Sequence, residues 1–159
     1  SSSPLVEVKD ATGAADIQHC RSLFQEYANS LQVDLEFQGF AAELDTLPGV
    51  YAAPKGAMLL AWQQESVLGC VAVRPFSPDI AEIKRLYVRP TARGKGVGIL
   101  LAKAIVERAR SMGYMRVRLD TLSTMTAATT LYRQLGFREI APYCHNPLAE
   151  AAYFELVLG

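Results

Sequence analysis

Cysteine and histidine are scarce in this chain: three of the first and two of the second among 159 residues. Cys20, Cys70 and Cys144 are odd in number and without paired spacing, so they build no disulfide framework and suit a reducing compartment, which makes the cytoplasm the expected location. His19 and His145 lie far apart, with no cysteine or carboxylate spacing around them, and make no metal site. Cys144 and His145 are neighbours, but adjacent residues on an extended chain point to opposite faces, which argues against a nucleophile–base pair. Net charge is missing too, since 16 basic residues meet 16 acidic ones, and a neutral chain has no basic face along which nucleic acid could lie. No apolar run approaches the roughly 20 residues that a membrane span needs, and Ser1-Ser2-Ser3 lacks the apolar core of a signal peptide. No linker or repeat divides the sequence, and half of it is apolar, enough for one sizeable core. Residues 1–4 are therefore read as a disordered tail or an added remnant, and 5–159 as a single domain.

Against this even background one stretch stands out. From Ile83 to Lys95 there are five basic side chains (Lys84, Arg85, Arg89, Arg93, Lys95) and no acid. Within it Arg93-Gly94-Lys95-Gly96-Val97-Gly98 runs into an apolar-periodic segment, Ile99 to Met112, that reads as a helix. A strand-like run precedes it. Backbone N–H groups at a helix N-terminus, flanked by two arginines and a lysine, form an anion cradle suited to a phosphorylated ligand.

Three phosphate-binding patterns compete for these glycines. A P-loop needs Gly-Lys-Ser/Thr, whereas Lys95 is followed by Gly96 and Val97, with no hydroxyl for a magnesium ion. A dinucleotide fingerprint needs Gly-x-Gly-x-x-Gly, and Gly94-x-Gly96-x-Gly98 is one residue short, although Asp120 ends the next strand at a fitting distance. The strand before it, Glu82 to Val88, is half charged, unlike a central parallel strand. The third pattern, Arg/Gln-x-x-Gly-x-Gly/Ala, is met at every position from Arg93 to Gly98.

With that motif the sequence resembles the GNAT superfamily of N-acetyltransferases, in which this turn wraps the pyrophosphate of coenzyme A. A second segment supports the resemblance in the right order: Ala127-Ala128-Thr129-Thr130-Leu131-Tyr132-Arg133-Gln134-Leu135-Gly136-Phe137 is similar to the family's helix that carries Ala, then Leu-Tyr, and closes on Gly-Phe. It covers about residues 5 to 158. One departure is Met125, where many relatives carry an Asn that contacts the cofactor arm. The resemblance implies a GNAT fold of the α/β class with α+β-type layering: a central mixed, mostly antiparallel sheet, one parallel splayed strand pair, and helices on both faces. It implies acetyl-CoA as co-substrate and no metal. The pantetheine arm would enter the splay like an added strand along Leu86, Tyr87 and Val88, with Arg93, Gly94, Lys95, Gly96, Val97, Gly98 and Ile99 around the phosphates.

The pattern of the chain is compatible with that fold. Strands are expected over Leu5 to Lys9, Ala57 to Trp62, Val67 to Arg74, Ala81 to Val88, Arg116 to Thr121, Arg138 to Ala141 and Ala152 to Leu158. Helices are expected over Ala14 to Ala28, Phe40 to Thr46, Ile99 to Met112 and about Thr124 to Leu135, the last capped by Ser123 or Thr124. The strand, helix, strand passage from Ala81 to Thr121 is a right-handed crossover, so its strands are parallel and the cradle lies at their carboxyl ends.

Acetyl transfer to a primary amine poses three problems. A lysine-like amine, with reference pKa ~10.4, is about 3.4 units from neutral at pH 7, a cost of roughly 4.6 kcal/mol. The developing oxyanion needs donors, and the departing thiolate gains from a proton. Glu82 aligns with the glutamate that removes the amine's proton, directly or through water, in the histone-acetylating branch; the alternative is a solvated glutamate paired with Lys84 or Arg85. Tyr132 matches the family's tyrosine near the leaving sulfur; the alternative is a core tyrosine packed on Leu131 and Leu135. The oxyanion donor is expected at the backbone N–H of Leu86 or a neighbour. From Ser22 to Pro54 there are five acids (Glu26, Asp34, Glu36, Glu43, Asp45) and no Lys or Arg, which points to a small cationic amine as acceptor, or to no more than solvated charge. A homodimer is left open. Two other functions fit the same sequence: a non-catalytic acyl-CoA-binding sensor, which would not need Glu82 or Tyr132, and an NAD(P)-dependent oxidoreductase.

Overall fold

Alternate residues of a strand face opposite sides of a sheet, and the central strands of this chain are apolar on both. In β2 (Ala57–Gln63) and β3 (Ser66–Pro75), Leu59, Ala61, Val71 and Val73 enter one core while Met58, Leu60, Cys70 and Ala72 enter another. Two buried faces require a layer of helices on each. The computed structural model, which describes residues 5–31, 35–36, 39–144, 146–148 and 150–159, supplies them. The remaining elements in chain order are β1 (Val6–Asp10), α1 (Gly13–Leu31), α2 (Phe40–Thr46), β4 (Ile80–Val88), α3 (Val97–Ser111), β5 (Arg116–Leu122), α4 (Thr126–Gln134), β6 (Arg138–Ile140) and β7 (Ala151–Val157). Helices α1 and α2 cover one face through Leu23, Phe24, Ala28 and Phe40; α3 and α4 cover the other through Val97, Leu101, Ile105 and Tyr132.

The seven strands form one mixed sheet in the order β1-β2-β3-β4-β5-β7-β6, with β4 and β5 parallel and every other pair antiparallel. The parallel contact is short. Only Ile80, Ala81 and Glu82 pair with Arg116, Val117 and Arg118, after which the two strands diverge.

A bulge lies at that point of divergence. Between β3 and β4 the register passes from Ala72↔Lys84 to Cys70↔Tyr87, so β4 carries one extra residue. Arg85 takes the left-handed conformation, φ 62°, and its carbonyl accepts a hydrogen bond from the Cys70 thiol at 3.2 Å. The bulge reverses the alternation: Ala81 and Ile83 face α3 and α4, whereas Tyr87, of the same parity, faces α1. A left-handed non-glycine residue costs roughly 1–2 kcal/mol, and the Arg85 side chain is held in return by Glu43 of α2, through two hydrogen bonds of 2.8 and 2.9 Å, with the Phe40 ring 5.1 Å from its guanidinium carbon.

Several boundaries shift from the sequence expectation, α1 reaching Leu31 rather than Ala28 among them, and two shifts have clear local reasons. Helix α3 begins at Val97 rather than Ile99, because Gly96 in the left-handed region (φ 76°) is its N-cap. Helix α4 begins at Thr126, and its N-cap is Met125, with no side-chain cap, rather than Ser123 or Thr124. Ser123 is engaged elsewhere: its N–H donates to Glu150 O at 2.7 Å and its hydroxyl to Glu150 Oε2 at 3.2 Å.

Candidate active site

The divergence of β4 from β5 opens a cleft of about 670 Å³, open solvent included. Its walls are Ile83–Leu86 at the bulge, Leu119–Leu122 of β5, Tyr27 and Leu31 of α1, Leu35, Met125 with Ala128 and Tyr132 of α4, and Asn146 and Leu148 from the segment before β7. From Ile83 onward β4 has no ladder partner on β5, so the cleft is walled by two strand edges.

The cradle is built at the carboxyl end of β4, where the sequence places it. Gly94 and Gly96 have φ of 80° and 76°, and a Cβ on either would meet no heavy atom within 4 Å. The Leu100 N–H is the first to donate within the helix, to Gly96 O, so the amides of Val97, Gly98 and Ile99 have no intrahelical acceptor. An open concavity, free amides and the positive end of a 15-residue helix fit a pyrophosphate. Not all five basic residues serve it. Arg89 is bound to Glu26 (Nη2–Oε2 2.9 Å) and to Val67 O, Arg85 to Glu43, and Lys84 lies buried in the cleft. Arg93 and Lys95 are the exposed cations beside the glycines. The Tyr87 side chain turns to Tyr27 and Glu26, so what it offers the splay is backbone.

The acidic wall is altered in the same way. Glu26 and Glu43 spend their charge on Arg89 and Arg85, and Glu36 accepts from the Ala41 N–H. Asp45 is exposed, and Asp34 lies outside the described residues. The uncompensated acidic field expected from the sequence is therefore much reduced.

Tyr132 lines the cleft and packs its ring against Phe137 and Phe154, centroids 5.5 and 6.2 Å away, in the core cluster that Leu131 and Leu135 also border. Its hydroxyl has no hydrogen-bond partner among the described residues, and burial raises its pKa, with smaller contributions from Tyr27 and Asp120. The phenol is held protonated.

Glu82 is neither solvated nor paired with Arg85. Its side chain is 2% exposed; Oε1 accepts from Arg74 Nε at 2.9 Å and Oε2 from the Tyr143 hydroxyl at 2.7 Å. It stands behind the cleft wall, not in it, and meets it through Lys84, whose Nζ lies 3.9 Å from Glu82 Oε2 and 3.4 Å from Asp120 Oδ1. Asp120 does line the cleft, with its second oxygen taking Asn146 Nδ2 at 3.1 Å. Asp120 and Asn146 carry no sequence signal for this role: the first reads as a strand-end acid of a dinucleotide fold, the second as a loop residue. The only available sign was that Asp120 sits opposite the Lys84–Arg85 pair across the parallel strands.

None of the three thiols is activated by its surroundings. Burial lifts the Cys20 thiol to about 12 and Cys70 well above its usual value. Cys144 is exposed, yet its thiol is also raised, by partial desolvation and then by Asp120 and Glu82; His145 lies outside the described residues. Among the described residues no group of three or more metal-ligating side chains gathers, and no helix is long and apolar enough to cross a membrane.

An open splay with a phenol in its wall, and an amide-lined cradle at the end of the strand that borders it, have the form of a site for a long ligand that carries a pyrophosphate. The sequence profile of the acetyltransferase (GNAT) family matches residues 20–137, and the chain belongs to that family. It is 42% identical over 146 residues to an uncharacterized N-acetyltransferase of Schizosaccharomyces pombe, spanning 91% of this chain and 90% of that one. It is 30% identical over 148 residues, 88% and 93% of the two chains, to an aminoglycoside N(6')-acetyltransferase type 1 of Klebsiella aerogenes. In fold it is similar to yncA of Salmonella typhimurium solved with its cofactor acetyl-CoA, with a TM-score of 0.69 at 18% identity over 97% of this chain and 94% of that one. The protein is a GNAT acetyltransferase with acetyl-CoA as donor.

Proposed function

We propose that the protein moves the acetyl group of acetyl-CoA directly onto the primary ammonium of a small metabolite, without a covalent enzyme intermediate. One observation carries this reading: the cleft between β4 and β5 joins an apolar wall, a protonated phenol and a carboxylate at one place, midway along the strand that leads to the cradle. Gly94 to Ile99 hold the pyrophosphate, and the bared edge of Leu86 to Val88 guides the arm. The backbone N–H of Leu86 serves the charge that develops on the acetyl oxygen.

The proton balance is simple. The ammonium gives up two protons in all, its nitrogen bonds to the acetyl carbon, and the carbon–sulfur bond breaks. Tyr132 supplies a proton to the sulfur from its Oη, so the sulfur leaves as a thiol, and the second amine proton, lost as the tetrahedral intermediate collapses, restores the phenol. The carboxylates of the wall receive the first amine proton, Asp120 at the cleft surface and Glu82 behind it by way of water, since Glu82 does not line the cleft. A cationic headgroup is still suited to this site, but through Asp120 rather than through a broad acidic field. The reading includes a cytoplasmic setting, for which three free thiols speak.

The test is amine-dependent release of free thiol from acetyl-CoA, with the acetylated product identified by mass. Glu82→Gln should depress turnover most at low pH and recover partly as rising pH neutralises the amine. A Glu82→Gln profile parallel to that of the parent would remove Glu82 from the proton path, and no thiol release with any amine would remove the reading itself.

A further inference from the structure

Acetyl transfer to an amine does not of itself call for a buried cation beside the attacking nitrogen, yet the cleft contains one. Lys84 is 9% exposed and lines the cleft. Its ammonium has three donors; one makes a long hydrogen bond to Asp120 Oδ1 at 3.4 Å, while Glu82 Oε2 stands at 3.9 Å, outside hydrogen-bond reach, which leaves donor capacity for a ligand in the cleft. Asn146 stands at the same spot. Its Oδ1 is taken by the Leu148 N–H at 3.0 Å and one Nδ2 hydrogen by Asp120 at 3.1 Å, which fixes the amide and leaves its second hydrogen without an acceptor among the described residues. The remaining walls are largely apolar: Leu31, Leu35, Leu122 and Leu148.

Among the described residues the charges in and behind the cleft cancel. Arg74, Lys84 and Arg85 stand against Glu82, Asp120 and Glu43 in linked pairs. A polycation brought into such a site would bury charge with nothing to offset it, whereas a ligand with one charge of each sign would not. In an α-amino acid the nitrogen and the carboxyl carbon are two bonds apart, about 2.5 Å. That dipole matches, in the opposite sense, the Lys84–Asp120 pair at 3.4 Å.

We infer that the acceptor is a zwitterionic α-amino acid, whose carboxylate is held by Lys84 Nζ and Asn146 Nδ2 while its ammonium faces Asp120, the carboxylate that takes its first proton. This rests on the acetyl-transfer reading above and narrows its acceptor. The bond changes are those already given: the nitrogen–carbon bond forms, the carbon–sulfur bond breaks, and the acceptor's carboxylate is untouched.

The experiment uses the unaltered protein first, because Lys84 variants leave Glu82 and Asp120 short of a counter-charge and can fail to fold. A panel of α-amino acids is compared, partner by partner, with the corresponding carboxamides and decarboxylated amines, and with spermidine and an aminoglycoside, for kcat/KM in thiol release. The amino acids should exceed their carboxamides by roughly 10- to 100-fold, the effect of one charge-assisted hydrogen bond. In folded Lys84→Gln that ratio should collapse through a raised KM for the acid, and Lys84→Arg should restore part of it. Carboxamides, spermidine or the aminoglycoside turned over as well as the acids would overturn the amino-acid inference and leave amine acetylation standing. A ratio unchanged in Lys84→Gln would overturn the part given to Lys84. No thiol release with any amine, alongside acetyl-CoA binding by calorimetry, would overturn both readings together.

Discussion

Replacing Tyr132 by Phe separates catalysis from packing with little ambiguity. The ring that fills the space between Phe137 and Phe154 is retained, and the lost hydroxyl makes no hydrogen bond among the described residues. Since the hydroxyl opens onto the cleft rather than lying sealed in the core, it contributes little to folding, and Tyr132→Phe should change stability by no more than about 1 kcal/mol in either direction. If the phenol protonates the sulfur, turnover should fall by roughly 10²-fold, equivalent to about 2.7 kcal/mol in the barrier. Acetyl-CoA affinity should stay within about twofold of the parent, because uniform binding is not what the hydroxyl supplies. Burial holds the phenol neutral, so Tyr132 should contribute no inflection to the parent's pH profile below about pH 10. The assay is a single-turnover measurement of thiol release, in which the chemical step is read before product release. Unchanged single-turnover rates in a variant that binds acetyl-CoA normally would return Tyr132 to a packing role.

Three further outcomes follow from the geometry. Gly96→Val should weaken acetyl-CoA binding by more than 10-fold, since the new side chain fills the open cradle, and it should also lose about 1–2 kcal/mol for a side chain at φ 76°; Gly113→Ala, at φ 93° with nothing within 4 Å of its Cβ, should lose similar stability at the far end of α3 and keep its affinity by calorimetry. Arg85→Met strands Glu43, whose side chain is 13% exposed, and should cost about 3–5 kcal/mol in denaturant unfolding, much of it recovered in Arg85→Met/Glu43→Leu; a loss under ~1 kcal/mol would show that the pair does not hold the bulge. Tyr27, Tyr51, Tyr132 and Tyr143 all have pKa values raised first by burial, so above about pH 10 the unfolded chain releases phenolic protons that the folded one retains, and stability should fall with rising pH there but not below; a melting temperature flat from pH 8 to 11 would contradict that desolvation.

Most of the fold was legible because its determinants are local or periodic. The apolar runs of β2 and β3, the crossover from β4 through α3 to β5, and the glycines of the cradle each declare themselves within a dozen residues. What misled at the boundaries was capping. Ser123 has the chemistry of an N-cap, but β7 begins one residue after Glu150, and the contact with Glu150 draws Ser123 away from α4. The splay was reachable only through the family resemblance, and the bulge that opens it leaves no mark in the residues. Arginine is an uncommon residue at φ 62°, and nothing in the run Lys84-Arg85-Leu86 says that one of them is extra. Its cause is tertiary, a bidentate carboxylate 42 positions upstream on α2.

The same distance in sequence explains why charge was read less well than motif. Counting bases from Ile83 to Lys95 and acids from Ser22 to Pro54 gives two opposed fields, but α1 and α2 lie on the face toward which Arg85 and Arg89 point, and the fields largely annul each other as Glu43–Arg85 and Glu26–Arg89. A helix that covers a sheet bearing arginines must bring acids with it, or bury unpaired charge at a cost of several kcal/mol. The acidic run is therefore in part a structural counterpart of the basic one, and what remains chemically distinctive is the residue that neither run flagged: Asp120, on the far strand of the splay, held by Lys84 and Asn146 at the cleft surface.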